Sequence, residues 1–198
     1  MPYKKWDEKD LLKKVSEDIS NNKIVAWFQG GSEFGPRALG HRSIFANPCW
    51  VDVKKYLNEK IKYREGWRPY APIVIEEELN EYFDAYDSPS NAYMLMSYEV
   101  KQPSKIPGVT HKDKTARVQT VNIKQNSRVY NLLKFIKSKI GVPILLNTSF
   151  NLGGEPIVET PKDALSTFTN SNIDVLVMEN FYINKDELVW QHKMFLIT

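Results

Sequence analysis

The spacing of apolar and polar positions divides the chain into short strands and amphipathic helices. Over residues 7–20, Leu11, Leu12, Val15 and Ile19 recur at helical intervals and predict a helix with one buried stripe. Residues 24–28 (IVAWF) read as a buried strand running straight into GGSEFGPRALGHRS. A helix is expected over 51–63 through Val53, Tyr56, Leu57, Lys60 and Ile61, its far end crowded with Lys62, Arg64 and Arg68. A strand over 70–75 and a short helix over 76–83 follow. Residues 93–100 alternate, so Met94, Met96, Tyr98 and Val100 share one apolar face of a predicted strand. The Pro- and Lys-rich stretch 101–114 is expected to be a mobile surface loop. TARVQTVNI (115–123) reads as a strand with one solvated face. Residues 127–140 give the clearest helix: Val129, Leu132, Leu133, Ile136 and Ile140 line one side, and Gly141 supplies the stop. A buried strand covers 143–146. Thr160-Pro161-Lys162-Asp163 opens another helix, with a cap, a proline at the first position and an acid in the first turn. Residues 175–183 form a last strand. Helices and strands interleave throughout, which predicts an α/β (α+β) class: a single domain over 1–198 on a twisted mixed sheet with flanking helices.

One boundary changes the picture. In LLNTSFNLGGEPIV (145–158) an apolar run ends abruptly in small polar side chains, then a Gly-Gly pair and a proline. That pattern suits a strand delivering Asn147, Thr148, Ser149 and Asn151 to its C-terminal end, where ligands bind in open α/β sheets. Gly153 and Gly154 would let the backbone approach a ligand closely. An ordinary polar turn fits the same residues. Three other segments set cations beside glycine or proline: GPRALGHRS (35–43), KYREGWRPYAP (62–72), and Thr110-His111 followed by Thr115-Ala116-Arg117. Arginine offers planar forked donors that suit phosphate or carboxylate, and lysine offers a mobile point charge. A site with several fixed cations and no evident general base fits phosphoryl or nucleotidyl transfer. Arg37 and Arg68 are held beside prolines, and Arg117 lies in an otherwise uncharged strand. Arg42 and Arg64 read as solvated surface arginines, Lys54, Lys55, Lys134 and Lys137 as solvated helix faces, and Trp27, Phe28, Trp67 and Tyr98 as core.

Composition narrows the function classes. The 198 residues are 42% hydrophobic and 26% charged with a net charge of +3, ordinary for a globular domain. The basic residues are scattered rather than clustered on one face, so nucleic acid is not expected as a partner. No apolar run approaches the ~20 residues that span a bilayer, and the N-terminus lacks the apolar core of a signal peptide. One cysteine, Cys49, excludes an internal disulfide and reads as a packing residue, so a cytoplasmic location is expected. The histidines His41, His111 and His192 are far apart, and no intrinsic metal site is expected. Neither a Walker A nor a GxGxxG pattern is present.

In order, EFGPRALGHRSI, IKYREGWRPYAP, THKDKTARVQTV and PILLNTSFNLGGEPIVETPKDAL resemble the C-terminal domain of the carbamoyltransferases, the O-carbamoyltransferases of nodulation-factor, antibiotic and surface-polysaccharide pathways. The likeness runs from about Lys23 to Lys185. It implies a YrdC-like fold, NTSFNLGGEP being the counterpart of the SANxSGxP signature of threonylcarbamoyl-adenylate synthases. It also implies a half-reaction in which carbamoyl phosphate and ATP, with Mg²⁺, give carbamoyl-adenylate, the carbamoyl group then moving to a hydroxyl on an N-terminal actin-like domain or subunit. By motif position, Lys62, Arg68, Arg117 and Ser149 would be catalytic, with Arg37, Thr115, Asn147, Asn151, Gly153 and Gly154 binding substrate or nucleotide. The transfer domain is expected to be absent from this chain. The family's Asp-Gly-Thr reads Asp113-Lys114-Thr115 here, a lost glycine in a binding-side loop. A non-catalytic nucleotide- or partner-binding module and a YrdC-like RNA-binding module are the competing readings.

Overall fold

A computed structural model describes residues 2–85 and 90–188; His192 lies outside them. The chain runs β1 (Lys4–Lys5), α1 (Glu8–Ser20), β2 (Val25–Phe28), β3 (Arg42–Ala46), α2 (Val53–Lys60), β4 (Ala71–Ile75), α3 (Leu79–Tyr82), β5 (Phe83–Asp84), β6 (Ser97–Val100), β7 (Thr115–Arg117), β8 (Gln119–Val121), α4 (Ser127–Ile140), β9 (Ile144–Ser149), α5 (Pro161–Thr169), β10 (Val175–Met178) and β11 (Phe181–Asn184). Eight strands form one sheet in the order β1-β11-β10-β2-β3-β9-β4-β8, and β5-β6-β7 form a small second sheet. The large sheet is mixed: β10 with β2 and β4 with β8 are parallel, and the other pairs are antiparallel.

Side-chain alternation explains why both sheet faces are covered. Val25 and Trp27 of β2, Phe45 of β3 and Leu145 of β9 face α1 and α4, whose Leu11, Val15, Leu133 and Ile136 are fully buried. Ala26, Ile44, Leu146 and Val74 face the other way, onto α2, α5 and the apolar side of the small sheet. Strands buried on both faces read as continuous apolar runs, which is why β2, β4 and β9 were legible. The helix over 127–140 forms with the predicted bounds, and Gly141 ends it in a left-handed conformation (φ 78°). Thr160 and Asp163 form a reciprocal capping box with Pro161 in the first turn of α5.

The structure corrects several expectations. Residues 93–96 are not strand: Met94 has a positive φ of 57°, and Leu95 and Met96 are exposed, so only Ser97–Val100 is extended. The run 115–123 is two strands, β7 in the small sheet and β8 in the large one, and β8 is buried throughout. Residues 101–114 are not merely a surface loop. Ile106, Gly108 and Val109 are buried, and a Cβ on Gly108 would stand 2.5 Å from Val53 Cγ1 and 2.9 Å from the Pro48 carbonyl. The last strand is a hairpin, β10–β11, turning at Glu179 with φ 48°. Trp67 is 72% exposed rather than core. Arg42 is buried rather than solvated: its guanidinium lies 3.5 Å from the Phe28 ring centre and donates to the Gln29, His41 and Glu159 carbonyls. Lys54 donates to the Thr110 carbonyl at 2.9 Å. No helix among the described residues is long and apolar enough to cross a membrane.

Candidate active site

The sheet brings three loops to one end. β9 finishes at Ser149, beside the start of antiparallel β3 (Ser43 opposite Ser149) and of antiparallel β4 (Ala71 opposite Asn147). The loops entering β3 and β4 and the loop leaving β9 therefore converge, and they carry three of the four motif segments, two of them cationic. β7 adds the last, Arg117, from the small sheet.

Two adjoining hollows result. Arg37, Arg64 and Arg117 line one of about 150 Å³ with Asn147, Thr148 and Ser149; among the described residues no carboxylate lines it. Lys62, Arg64, Arg68, Ser149, Asn151, Gly153 and Gly154 line the other, of about 370 Å³, where Glu65 is the acid and pairs with Arg68 at 3.1 Å. Arg64 and Ser149 belong to both. Nine of the ten sequence-predicted residues thus gather here. Thr115 lies in neither hollow: its hydroxyl donates to Asp113 Oδ1 at 2.8 Å and lies 3.3 Å from His111 Nδ1. Arg64 was assigned to the solvated surface. Its position two residues from Lys62, on a loop stiffened by Pro69, is the sequence signal that could have found it. The side chain donates from Nε to Asn58 Oδ1 at 2.9 Å and lies 4.8 Å from the Tyr70 ring centre, which fixes it without an acid.

Lys62 organises the loop after β9. Only 4% exposed, its ammonium donates to the Ser149 carbonyl (2.6 Å), the Asn151 carbonyl (2.9 Å) and Asn151 Oδ1 (2.7 Å). Ser149 Oγ donates to the same Asn151 Oδ1 at 2.7 Å, and Asn151 Nδ2 donates to the Glu155 carbonyl. Burial first, then the like charge of Arg64, push the Lys62 pKa down to about 7, with Glu155 opposing. The folded pKa lies below the unfolded one, so the unfolded chain binds more protons between them. Stability from this group rises with pH from about 7 toward the free-lysine value. Anion affinity should do the reverse, falling as pH rises through about 7 while Lys62 loses its charge. Titrating pyrophosphate affinity in parent and Lys62→Met checks this: both share the titration of pyrophosphate itself, and the additional fall near pH 7 should be confined to the parent.

Asn147 is committed inward. Its Nδ2 donates to the Ala38 carbonyl (2.9 Å) and to Gln119 Oε1 (2.8 Å), while its buried Oδ1 has no partner among the described residues. Arg117 and Arg37 make no ion pair or side-chain hydrogen bond with a described residue; burial and then Arg37 disfavour the Arg117 cation. Lys114, where the resemblance leads one to expect a glycine, sits at φ 65°, a left-handed conformation that costs a non-glycine residue about 1 kcal/mol.

Comparison with known proteins decides the family. The model described as "Carbamoyltransferase C-terminus" matches residues 16–185. The chain belongs to this carbamoyltransferase family. It is 42% identical to nodulation protein NolNO of Sinorhizobium fredii over 89% of this chain and 26% of that protein. It is 36% identical to the 3'-hydroxymethylcephem-O-carbamoyltransferase of Amycolatopsis lactamdurans over 90% of this chain and 34% of that one. An uncharacterized Synechocystis protein, sll1178, is 40% identical over 92% of this chain and 33% of its own length. The chain therefore spans between about a quarter and about a third of these longer relatives. The fold of this chain is YrdC-like, as the resemblance implied: the crystal structure of T. kodakarensis HypF superposes with a TM-score of 0.59 at 22% identity, over 81% of this chain and 20% of HypF.

Proposed function

We propose that this carbamoyltransferase domain binds carbamoyl phosphate and ATP in the paired hollows and forms carbamoyl-adenylate, which a transfer domain or partner subunit delivers to a hydroxyl. The observation that carries the reading is the hollow lined by Arg37, Arg64 and Arg117, with no carboxylate among the described residues that line it. Three arginines lining one small space, with no described carboxylate among them, favour an anion with several oxygens. In the half-reaction, water takes the phosphate from carbamoyl phosphate, a carbamate oxygen attacks the α-phosphorus of ATP, and pyrophosphate leaves. Little covalent work falls to the protein; positioning and charge neutralisation supply most of the acceleration. Arg64, common to both hollows, would face both reacting phosphates, and Ser149 would orient the carbamoyl or α-phosphate oxygens.

Lys62 holds the Ser149–Asn151 backbone against that junction, and Arg68 lies on the outer rim. Magnesium fits as an ion carried in on the nucleotide: the polar lining is mainly cations and amides, its one carboxylate, Glu65, is paired with Arg68, and no group of three His, Cys, Asp or Glu among the described residues could hold a metal. When bound it would shield phosphate charge between the arginines. ATP-dependent chemistry of this kind fits a cytoplasmic setting. The deciding experiment is ATP–pyrophosphate exchange with the purified chain. Exchange that requires carbamoyl phosphate is expected; tight binding of both substrates with no exchange would refute the catalytic part and leave a binding module.

A further inference from the structure

The loop between β2 and β3 is held by a carboxylate that neither hollow accounts for. Glu33 Oε1 accepts the backbone N–H groups of Leu39 (2.5 Å), His41 (2.8 Å) and Arg42 (3.3 Å). One charged oxygen thus gathers three amides from the far side of the loop and closes it into a ring whose tip is Gly35-Pro36-Arg37. The carbonyl side is pinned separately. Asn147 Nδ2 donates to the Ala38 carbonyl, and Gln119 Nε2 donates to the Leu39 carbonyl at 2.9 Å. Gly35 and Gly40, at φ 124° and 107°, permit the two bends.

Arg37 itself is exposed and has no side-chain partner among the described residues, so nothing but its backbone aims it at the hollow it shares with Arg117. Arg117 lies close enough to feel its charge. An exposed arginine on a free loop would spread over many rotamers and lose that entropy on binding. A loop ringed on a carboxylate presents it ready-placed.

We propose that Glu33 is the positioning residue for Arg37, setting anion affinity through the loop without touching the anion. The inference rests on the proposed anion site. Hydrogen exchange at the Leu39, His41 and Arg42 amides should quicken in Glu33→Ala by about ten- to a hundredfold, the range for hydrogen bonds to a charged acceptor. Exchange in β3 at Ile44 and Phe45 should not change. Pyrophosphate, the anion probe, should bind Glu33→Ala and Arg37→Ala with similar losses, and the double variant should be no weaker than Arg37→Ala alone. Glu33→Gln, whose amide oxygen still accepts, should fall between parent and Glu33→Ala. Unchanged exchange at the three amides, or losses that multiply in the double variant, would overturn the proposal. Pyrophosphate binding that follows the predicted pattern without carbamoyl phosphate-dependent exchange would sink the carbamoyl-adenylate reading and leave the Glu33–Arg37 coupling standing. A parent chain that binds no pyrophosphate would overturn both.

Discussion

Arg64→Ala is expected to lower carbamoyl phosphate-dependent ATP–pyrophosphate exchange by at least about a hundredfold, the loss typical when one fixed donor to a developing charge is removed. The reason is position. Arg37 and Arg117 face only the smaller hollow and Lys62 and Arg68 only the larger, whereas Arg64 faces both. Its guanidinium is held by a neutral amide and an aromatic ring, so its charge is not spent on a protein acid. Arg64→Lys keeps the charge but loses the fork and the stack on Tyr70, and should recover only part of the activity. Folding should survive either change. Asn58 Oδ1 retains the Tyr70 hydroxyl at 2.7 Å, so the loss of one hydrogen bond should cost about 1 kcal/mol. Arg117→Ala provides the comparison, with a smaller loss concentrated in the affinity for one substrate. Parent-level exchange in Arg64→Ala would remove the junction from the mechanism.

The contrast between Arg64 and Arg42 shows what a sequence can and cannot say about a cation. Both were read as solvated. Arg42 proves to be an architectural residue, packed on Phe28 and donating to three carbonyls that hold the β2–β3 loop and the segment before α5. Arg64 proves to line the site. Arg42 is decided by Gln29 and Glu159, more than ten residues away, which local spacing does not show; Arg64 is held by Asn58 and Tyr70, six residues to either side, and its closeness to Lys62 was the one local signal.

Features governed by local chemistry were legible. α4 carries its own stripe and stop signal, α5 its own capping box, and β9 its own apolar run. The losses came where long-range pairing overrode the local pattern. β3 opens on Arg42-Ser43 and was not predicted, although it lies between β2 and β9 in the middle of the sheet. The single run 115–123 divides at Val118 because its halves pair with different sheets. Residues 107–109 are drawn into the core by Gly108, whose missing side chain admits Val53 and Pro48. Within the site, the motif residues came together as their order suggested. Asn147 proves to be tied to the Arg37 loop, and Thr115 points to a turn with Asp113 rather than into either hollow.

The Gly-Gly pair after β9 separates two kinds of constraint, and its two alanine variants should behave differently. A Cβ on Gly153 would stand 2.1 Å from the Lys62 carbonyl oxygen and 3.0 Å from its carbon, a contact between two backbones that no side-chain rotation relieves. Lys62 cannot retreat easily: its N–H donates to the Leu57 carbonyl at 2.8 Å, and the next residue, Tyr63, is already at φ 45°. The loop after Ser149 must therefore move, and with it the oxygens of Ser149 and Asn151 that surround the Lys62 ammonium. Gly153→Ala is expected to cost about 1–3 kcal/mol of stability, as overpacking typically does. It should also lower exchange by about a hundredfold, the scale on which a displacement of about 1 Å disturbs a positioned site. Gly154 differs: its φ is +82°, and nothing lies within 4 Å of an added Cβ. Gly154→Ala should cost about 1–2 kcal/mol of backbone strain but reduce exchange less, because no neighbour is pushed. Melting curves and exchange rates for the two variants make the distinction. Equal losses of activity at equal losses of stability would mean that the Lys62 contact does not hold the site.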